Sequence, residues 1–285
     1  MFRILLKTVK SKWKSYRHRF TPWVALNLQR NERTLRQVKG HSEDKTVVDE
    51  EVSATLVSLF TALLKNDLRK QREILSFLTA PRQAVYLQTG ADAGGTSPSD
   101  TMLATLGFSI GRRPSSLPLA GTGVFVTKGL VQKGTVVAMY PGTVYQLHEP
   151  ILLPSIGNPF VFRCIDGVLI DGNDKNISRI IYRSCSGRDR LGPFALSDVT
   201  WLTASPQNPL AVGQYVNNSS NEMPANVCYQ EYDVPEGFPL ELHQYLPNVN
   251  YRQESGRPLR CVVLVSLKEI QRGEELFSNY YTIVR

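Results

Sequence analysis

Apolar residues recur at steps of three and four in two places in the first third of the chain. Phe2, Leu5, Val9, Trp13, Tyr16 and Phe20 fall on one face of a helix, and cations fill the other face. Val48, Val52, Leu56, Leu59 and Leu63, followed by Ile74, Leu75 and Leu78, predict one or two helices over residues 46–80. Asp49, Glu50 and Glu51 sit in the first turn, where acids complement the helix dipole, and Pro81 is expected to end the run. Residues 91–100 are small, polar and turn-rich and read as a linker or long loop. The texture then changes to short β-branched and aromatic runs punctuated by Gly and Pro. Residues 124–127 and 135–140 are strand candidates. Residues 160–165 and 168–170 predict a hairpin closed by Asp166-Gly167 as a primed turn. The uninterrupted apolar run at 260–265 predicts a central strand. No internal repeat and no alternation of strand and helix is present, which argues against a doubly wound nucleotide fold. The expected architecture is mainly β with appended helices.

Charge changes the picture at one end only. The chain of 285 residues has a formal net charge of +8. Arg3, Lys7, Lys10, Lys12, Lys14, Arg17, Arg19 and Arg30 lie in residues 1–31, which hold no acid, so the rest of the chain is electrically balanced. The basic leader fits three readings: a mitochondrial presequence, a helix that lies on an anionic membrane or nucleic acid, or an N-terminal helix packed on the body. No run of about 18 apolar residues exists, so no transmembrane helix is expected. Cys164, Cys185, Cys228 and Cys261 are scattered, with no C-x-x-C, which argues against structural zinc and for reduced thiols in an intracellular protein. Mitochondrion, nucleus and cytosol stay open, and the leader leans toward the first.

The stretch from Gly213 to Val227 is the most demanding chemically. Asn217, Asn218, Asn221 and Asn226, with Ser219 and Ser220, crowd between apolar, strand-like segments. Each Asn amide brings two donors and an acceptor that need partners if buried. Gly121-Thr122-Gly123 before a strand is a weak signal alone, since it lacks the third glycine of a dinucleotide fingerprint, but two glycines allow close approach of backbone to a ligand. Any single tyrosine among Tyr140, Tyr215, Tyr280 and Tyr281 reads in isolation as a core or edge aromatic. Asp171 reads as a brace of the sheet rather than a catalytic group. The polar, basic run 173–190 fits a solvated loop or a shaper of substrate choice.

Four segments in order form a pattern. They are Gly121-Thr-Gly123 through Tyr140-Pro-Gly142, then Asp166-Gly-Val-Leu-Ile-Asp171, then Tyr215-Val-Asn217-Asn218-Ser219-Ser220 leading to Asn226, then Gly273-Glu-Glu275-Leu276-Phe-Ser-Asn279-Tyr280. This order and spacing resembles the SET-domain protein lysine methyltransferases, whose G-x-G, Y-x-G, N-H-S-x-x-P-N and G-E-E-L-x-x-D-Y signatures are all present in approximate form. The resemblance implies a SET-domain fold of small twisted β-sheets in which the C-terminal segment passes beneath the Asn-rich loop as a pseudoknot. The resemblance covers about residues 119–283, and with the patterns above it gives the division 1–31 basic leader, 32–90 helical module, 91–118 linker and 119–283 SET domain, with an insert at about 143–210. It implies S-adenosylmethionine as cofactor and, as partner, a protein substrate, histone or non-histone, presenting a lysine. Tyr280 would be the catalytic orienter and Tyr140 would line the lysine channel. Gly121, Thr122, Gly123, Tyr215, Asn217, Asn218 and Tyr280 would contact the cofactor, and no metal is implied. The leader would contact an anionic surface or import machinery.

The sequence also departs from those signatures. Asn218 stands in place of His, Ser220 in place of Cys and Asn279 in place of Asp, and an extra residue separates Pro224 from Asn226. A SET-fold protein that binds cofactor or partners with little methyl transfer is the alternative reading.

Overall fold

The computed structural model describes residues 45–67, 74–87, 96–220, 222–253 and 257–279, with the backbone of strands at 35–38 and 281–284. The leader 1–31 and Tyr280 lie outside the described residues. In chain order the elements are β1 (Leu35–Val38), α1 (Asp49–Asn66), α2 (Ala80–Leu87), α3 (Pro98–Leu106), β2 (Phe108–Pro114), β3 (Thr122–Gly129), β4 (Val136–Tyr140) and β5 (Gly142–Tyr145). There follow α4 (Leu152–Ser155), β6 (Val161–Arg163), β7 (Leu169–Asp171), α5 (Asn176–Arg188), β8 (Arg190–Leu191) and β9 (Phe194–Ala195). The last strands are β10 (Asn217–Asn218), β11 (Val227–Asp233), β12 (Asn248–Asn250), β13 (Arg260–Ser266), β14 (Phe277–Ser278) and β15 (Tyr281–Val284).

The sheets are small. One has the order β11-β13-β4, another β12-β5-β7-β6, and the rest are two-stranded. β13 is central in its sheet and buried from Cys261 to Ser266, as its unbroken apolar run requires. α1 turns Val52, Leu56, Leu59, Phe60, Leu63 and Leu64 inward. Phe60 meets Phe238 and Tyr245 at centroid distances of 6.3 and 5.5 Å. Gln230 of β11 ties the segment before α1 to the sheet through Thr46 N, Val47 N and Val47 O. Val48, expected on the apolar face, is exposed at the helix entrance.

Five local expectations are corrected. Pro81 does not end a helix; it occupies the first turn of α2, where a missing N–H costs nothing. Residues 96–118 are not a plain linker: Ser97 caps α3 by accepting from Asp100 N at 3.2 Å, Gly107 closes it at φ 82°, and β2 follows directly. The module expected over 32–90 as helical contains a strand, β1, which pairs in parallel with β15. The Asp166-Gly167 turn is not primed, because only Gly167 has positive φ. Gly167 N donates to Cys164 O and Cys164 N to Val168 O, a three-residue loop whose last residue is a left-handed glycine. Most of the run 173–190, weighed as a solvated loop, is α5, held by the buried Ser178, Tyr182 and Cys185. No helix among the described residues is long and apolar enough to cross a membrane.

Candidate active site

The Asn-rich stretch closes around the C-terminal segment. β10 runs parallel to β14, pairing Asn217 with Phe277 and Asn218 with Ser278. Ser219 N donates to Ser278 O at 2.9 Å, and Ser219 Oγ donates to Asn279 Oδ1 at 2.6 Å. From the other side Asn226 donates through Nδ2 to Glu275 O and accepts from Phe277 N, each at 2.8 Å, while its own N–H reaches Phe277 O at 2.9 Å. Residues 275–279 therefore pass between Asn217–Ser219 and Asn226, the threaded arrangement of a pseudoknot. Ser219 and Asn226 thus find their polar partners on this crossing strand.

Glu275 anchors the crossing. Its buried carboxylate accepts from Ser115 Oγ (2.7 Å), Ser116 N (2.8 Å), Ser116 Oγ (2.6 Å) and Asn217 Nδ2 (3.2 Å). Burial alone raises the carboxyl pKa; the hydrogen bonds from Ser115, Ser116 and Asn217 outweigh it and hold the group below the usual range. Asn217 Nδ2 also donates to Thr122 O at 3.1 Å. One amide thus joins the G-x-G strand to the last motif. Gly123 completes the packing. A Cβ there would lie 2.0 Å from Glu275 Oε1, so the absence of a side chain serves the carboxylate.

Beside this crossing lies a cavity of about 290 Å³. Ala120, Gly121, Thr122 and Asn217 form one side; Tyr140, Phe162 and Tyr229 contribute rings. Tyr140 is 5.4 Å from Phe162 and 6.1 Å from Tyr229 between centroids. Tyr215 joins the wall, edge-on to Phe160, with its hydroxyl donating to Asp174 Oδ2 at 2.6 Å and the Arg112 guanidinium 5.3 Å over its ring. Burial first, then the Asp174 bond, push the Tyr215 phenol up to about 12, so it stays protonated. Of the expected site residues, Gly121, Thr122, Tyr140, Tyr215 and Asn217 line this one cavity, although they come from three distant stretches. Gly123 and Asn218 do not line it. Tyr280 follows directly on Asn279 in sequence.

Sequence reading assigned no role to Glu275 or Gln214. Glu275 stood inside a quoted motif, but its partners became visible only with the threading. Gln214 lines the cavity, and its signal was a neutral polar residue within the apolar run 210–216. Asp171 braces the sheet as expected: its Oδ1 accepts from Asn158 Nδ2 at 2.7 Å and Asn173 N at 3.1 Å. Among the described residues, Cys164, Asp166 and Glu231 approach closely enough to share an ion. Arg260 occupies that cluster, bonding to Glu231 at 2.5 Å and Asp166 at 3.1 Å, so the positive charge there is a guanidinium. The four cysteines are buried and form no disulfide.

The threaded crossing, the glycine strand beside it and the small sheets define a SET-domain protein. No family model matches the chain. It is 58% identical over 294 residues to SET domain-containing protein 9 of Homo sapiens, covering 98% of each chain. The protein of the same name from Pongo abelii is 58% identical over 265 residues, covering 88% of this chain and 97% of its own. The chain belongs to the SET domain-containing protein 9 family. Among solved structures, ctPRC2 in an autoinhibited conformation bound to S-adenosylmethionine aligns at TM-score 0.33 and 14% identity, over 61% of this chain and 15% of that one. An active polycomb repressive complex 2 in the basal state aligns at TM-score 0.33 and 14% identity, over 76% of this chain and 18% of that one.

Proposed function

We propose that this protein is an S-adenosylmethionine-dependent methyltransferase acting on a protein lysine. The observation that carries the reading is the convergence of Gly121, Thr122, Tyr140, Tyr215 and Asn217 on one cavity at the threaded crossing. The residues suit the cofactor. Gly121, at φ 76° and with open space where a Cβ would be, lets backbone come close to a bound molecule, and the buried Gln214 amide has no protein partner. When bound, the cofactor would supply an electrophilic methyl group on a sulfonium.

The chain's own contribution is positioning and desolvation. Gly121 and Thr122 would meet the methionine part through backbone. Asn217, fixed by Thr122 and Glu275, would present its amide oxygen. The rings of Tyr140, Phe162 and Tyr229 would enclose the aliphatic stem of a lysine and exclude water. The Tyr280 hydroxyl would accept from the amine and hold it in line. The amine must arrive neutral, and its proton leaves to solvent before transfer; the lining holds Arg163 and Lys175 and no carboxylate, a balance that favours loss of that proton.

The test is calorimetric titration with S-adenosylmethionine, followed by transfer of labelled methyl groups into lysate proteins. Wild type is expected to bind and transfer. Tyr280→Phe is expected to bind as well but to transfer on the order of a hundredfold more slowly, through lost alignment. No binding at millimolar cofactor refutes the reading. Binding with no transfer from wild type leaves the alternative, a SET-fold binding protein, and activity gained by Asn279→Asp would point to that substitution as the cause.

A further inference from the structure

α5 turns Ser178, Tyr182 and Cys185 inward and leaves a two-part face outside. With about 3.6 residues per turn, Lys175 at its N-cap, Arg179 and Arg183 form one stripe at steps of four, and Ile177 and Ile180 lie beside it. All five are exposed, Ile180 by 68%. α4 is held to the start of α5 by Asn158 Nδ2, which donates to Pro154 O at 3.0 Å and Ser178 Oγ at 3.5 Å, and it adds the exposed Leu153 and Ile156. The side chains of the three cations have no hydrogen bond or ion pair among the described residues. The acids of the same insert are spent internally. Asp174 accepts from the Tyr215 hydroxyl, Asp189 pairs with Arg188 at 2.6 Å, and the buried Asp198 accepts from Thr200 N at 2.7 Å. The outer side of α5 is therefore cationic and aliphatic.

Lys175 belongs both to this stripe and to the lining of the cavity. A polypeptide whose lysine enters the cavity passes Lys175 and can continue along α5. The spacing suits an extended chain: four helical residues rise about 6 Å and two extended residues about 6.6 Å, so alternate residues keep step with the three cations. Aliphatic Ile177 and Ile180 match side chains rather than a phosphate backbone, and the ring of Tyr182 is buried, so α5 offers no stacking platform for bases. We infer that α5 is a docking surface for the protein substrate and selects lysines flanked by alternating acidic and apolar residues over lysines flanked by cations. The inference rests on reading the cavity as the entrance for a substrate lysine.

The test is fluorescence anisotropy on the full chain with two labelled peptides. Each has one central lysine, flanked on both sides by alternating Glu and Val in the first and alternating Arg and Val in the second. Wild type is expected to bind the acidic peptide at least about tenfold more tightly, from up to three exposed ion pairs, with the preference shrinking at high salt. Arg179→Glu with Arg183→Glu should reverse the preference, and Arg179→Gln with Arg183→Gln should reduce it. Both sites are exposed, so thermal unfolding and calorimetric binding of S-adenosylhomocysteine should match wild type. Equal affinity for the two peptides, or a preference that survives charge reversal, overturns the inference. It falls too if phosphatidylserine vesicles or duplex DNA bind wild type, are lost by the Glu variant, and the peptides bind alike; the face then belongs to a membrane or a nucleic acid. Methyl transfer into the acidic peptide separates the two readings. A preference without transfer counts against the enzyme and leaves the docking surface; transfer without a preference removes the docking surface and leaves the enzyme.

Discussion

Gly123→Ala separates two reasons for a glycine at this position. If the glycine serves only close approach of a ligand, alanine abolishes binding and leaves the fold untouched. The structure gives the other answer. Gly123 lies outside the left-handed region, so alanine meets no backbone strain. Its Cβ, however, would stand 2.0 Å from Glu275 Oε1 and 2.8 Å from Glu275 Cδ. The carboxylate must swing away, and Oε1 then loses Ser115 Oγ and Asn217 Nδ2. Hydrogen bonds to a buried charge contribute about 1.5–3 kcal/mol each, so the loss of two costs about 3–6 kcal/mol. At about 2–4 °C per kcal/mol for a chain of this size class, thermal unfolding should fall by about 6–12 °C even at the low end of that cost. A double-mutant cycle isolates the cause: on a Glu275→Ala background, Gly123→Ala should cost less than about 1 kcal/mol, because no carboxylate remains to be displaced. Equal costs on both backgrounds, or a Gly123→Ala protein as stable as wild type, would refute the steric account.

The remaining predictions concern the same crossing and the sheet beneath it. Asn226→Ala removes the acceptor of the buried Phe277 N–H and the donor to Glu275 O, and should cost about 2–4 kcal/mol in denaturant unfolding. Asn279→Asp keeps an oxygen for Ser219 Oγ and should leave thermal unfolding within about 1 °C of wild type, consistent with a near-neutral change of an already accepted bond. Burial, only partly opposed by bonds from Ser178, Asn158 and Asn173, raises the Asp171 carboxyl from 3.8 to about 6. A carboxyl raised in the fold stabilises it while protonated. Its contribution is complete below about pH 4 and is lost as pH rises through about 6, a swing of about 3 kcal/mol. Asp171→Asn stays neutral, so wild type should lose stability relative to this variant between pH 4.5 and 7.5; parallel curves would contradict the sign.

The fold was legible wherever one periodicity acted alone. The steps in α1 and the unbroken run of β13 each admitted one reading, and both elements are buried as that reading requires. Misreadings arose where a residue type serves two opposite purposes. Proline breaks a helix interior yet suits a first turn, so Pro81 opens α2. Ser97-Pro-Ser-Asp100 has linker composition, but Ser followed three residues later by an acid is also a helix start, and that use prevailed. The Asp-Gly turn type depended on register: β6 and β7 pair so that Cys164 and Val168 close the hairpin and three residues lie between those two. In the site, the tyrosines, glycines and Asn217 were visible as motif positions. Glu275 and Gln214 were not, because their roles depend on which chain crosses beneath which loop, and on a missing partner.

Two of the departures from the family signatures, the extra residue before Asn226 and Asn279, fall where the crossing tolerates them. The extra residue between Pro224 and Asn226 lies just beyond the turn in which Ser220 N meets Met223 O and Met223 N meets Ser220 Oγ, and Asn226 still lands on Phe277 with both ends of its amide. Asn279 accepts from Ser219 where a carboxylate would have accepted. What the crossing demands is an acceptor for Phe277 N–H, a donor for Glu275 O and an acceptor for Ser219, and each demand is met by a different letter from the one the signature carries or by the same letter at a different spacing. The cost of the Asn279 change is therefore electrostatic rather than structural. It removes one negative charge at the residue before Tyr280, while Arg163 and Lys175 line the adjoining cavity. For an incoming lysine that balance works in two directions: it discourages the charged amine from entering, and it favours the neutral form once inside. Under the proposed function the pH dependence of transfer should then reside mainly in substrate KM, falling as pH rises, with kcat nearly flat. A kcat that rises steeply with pH at saturating substrate would place the lost proton inside the bound complex and contradict this division.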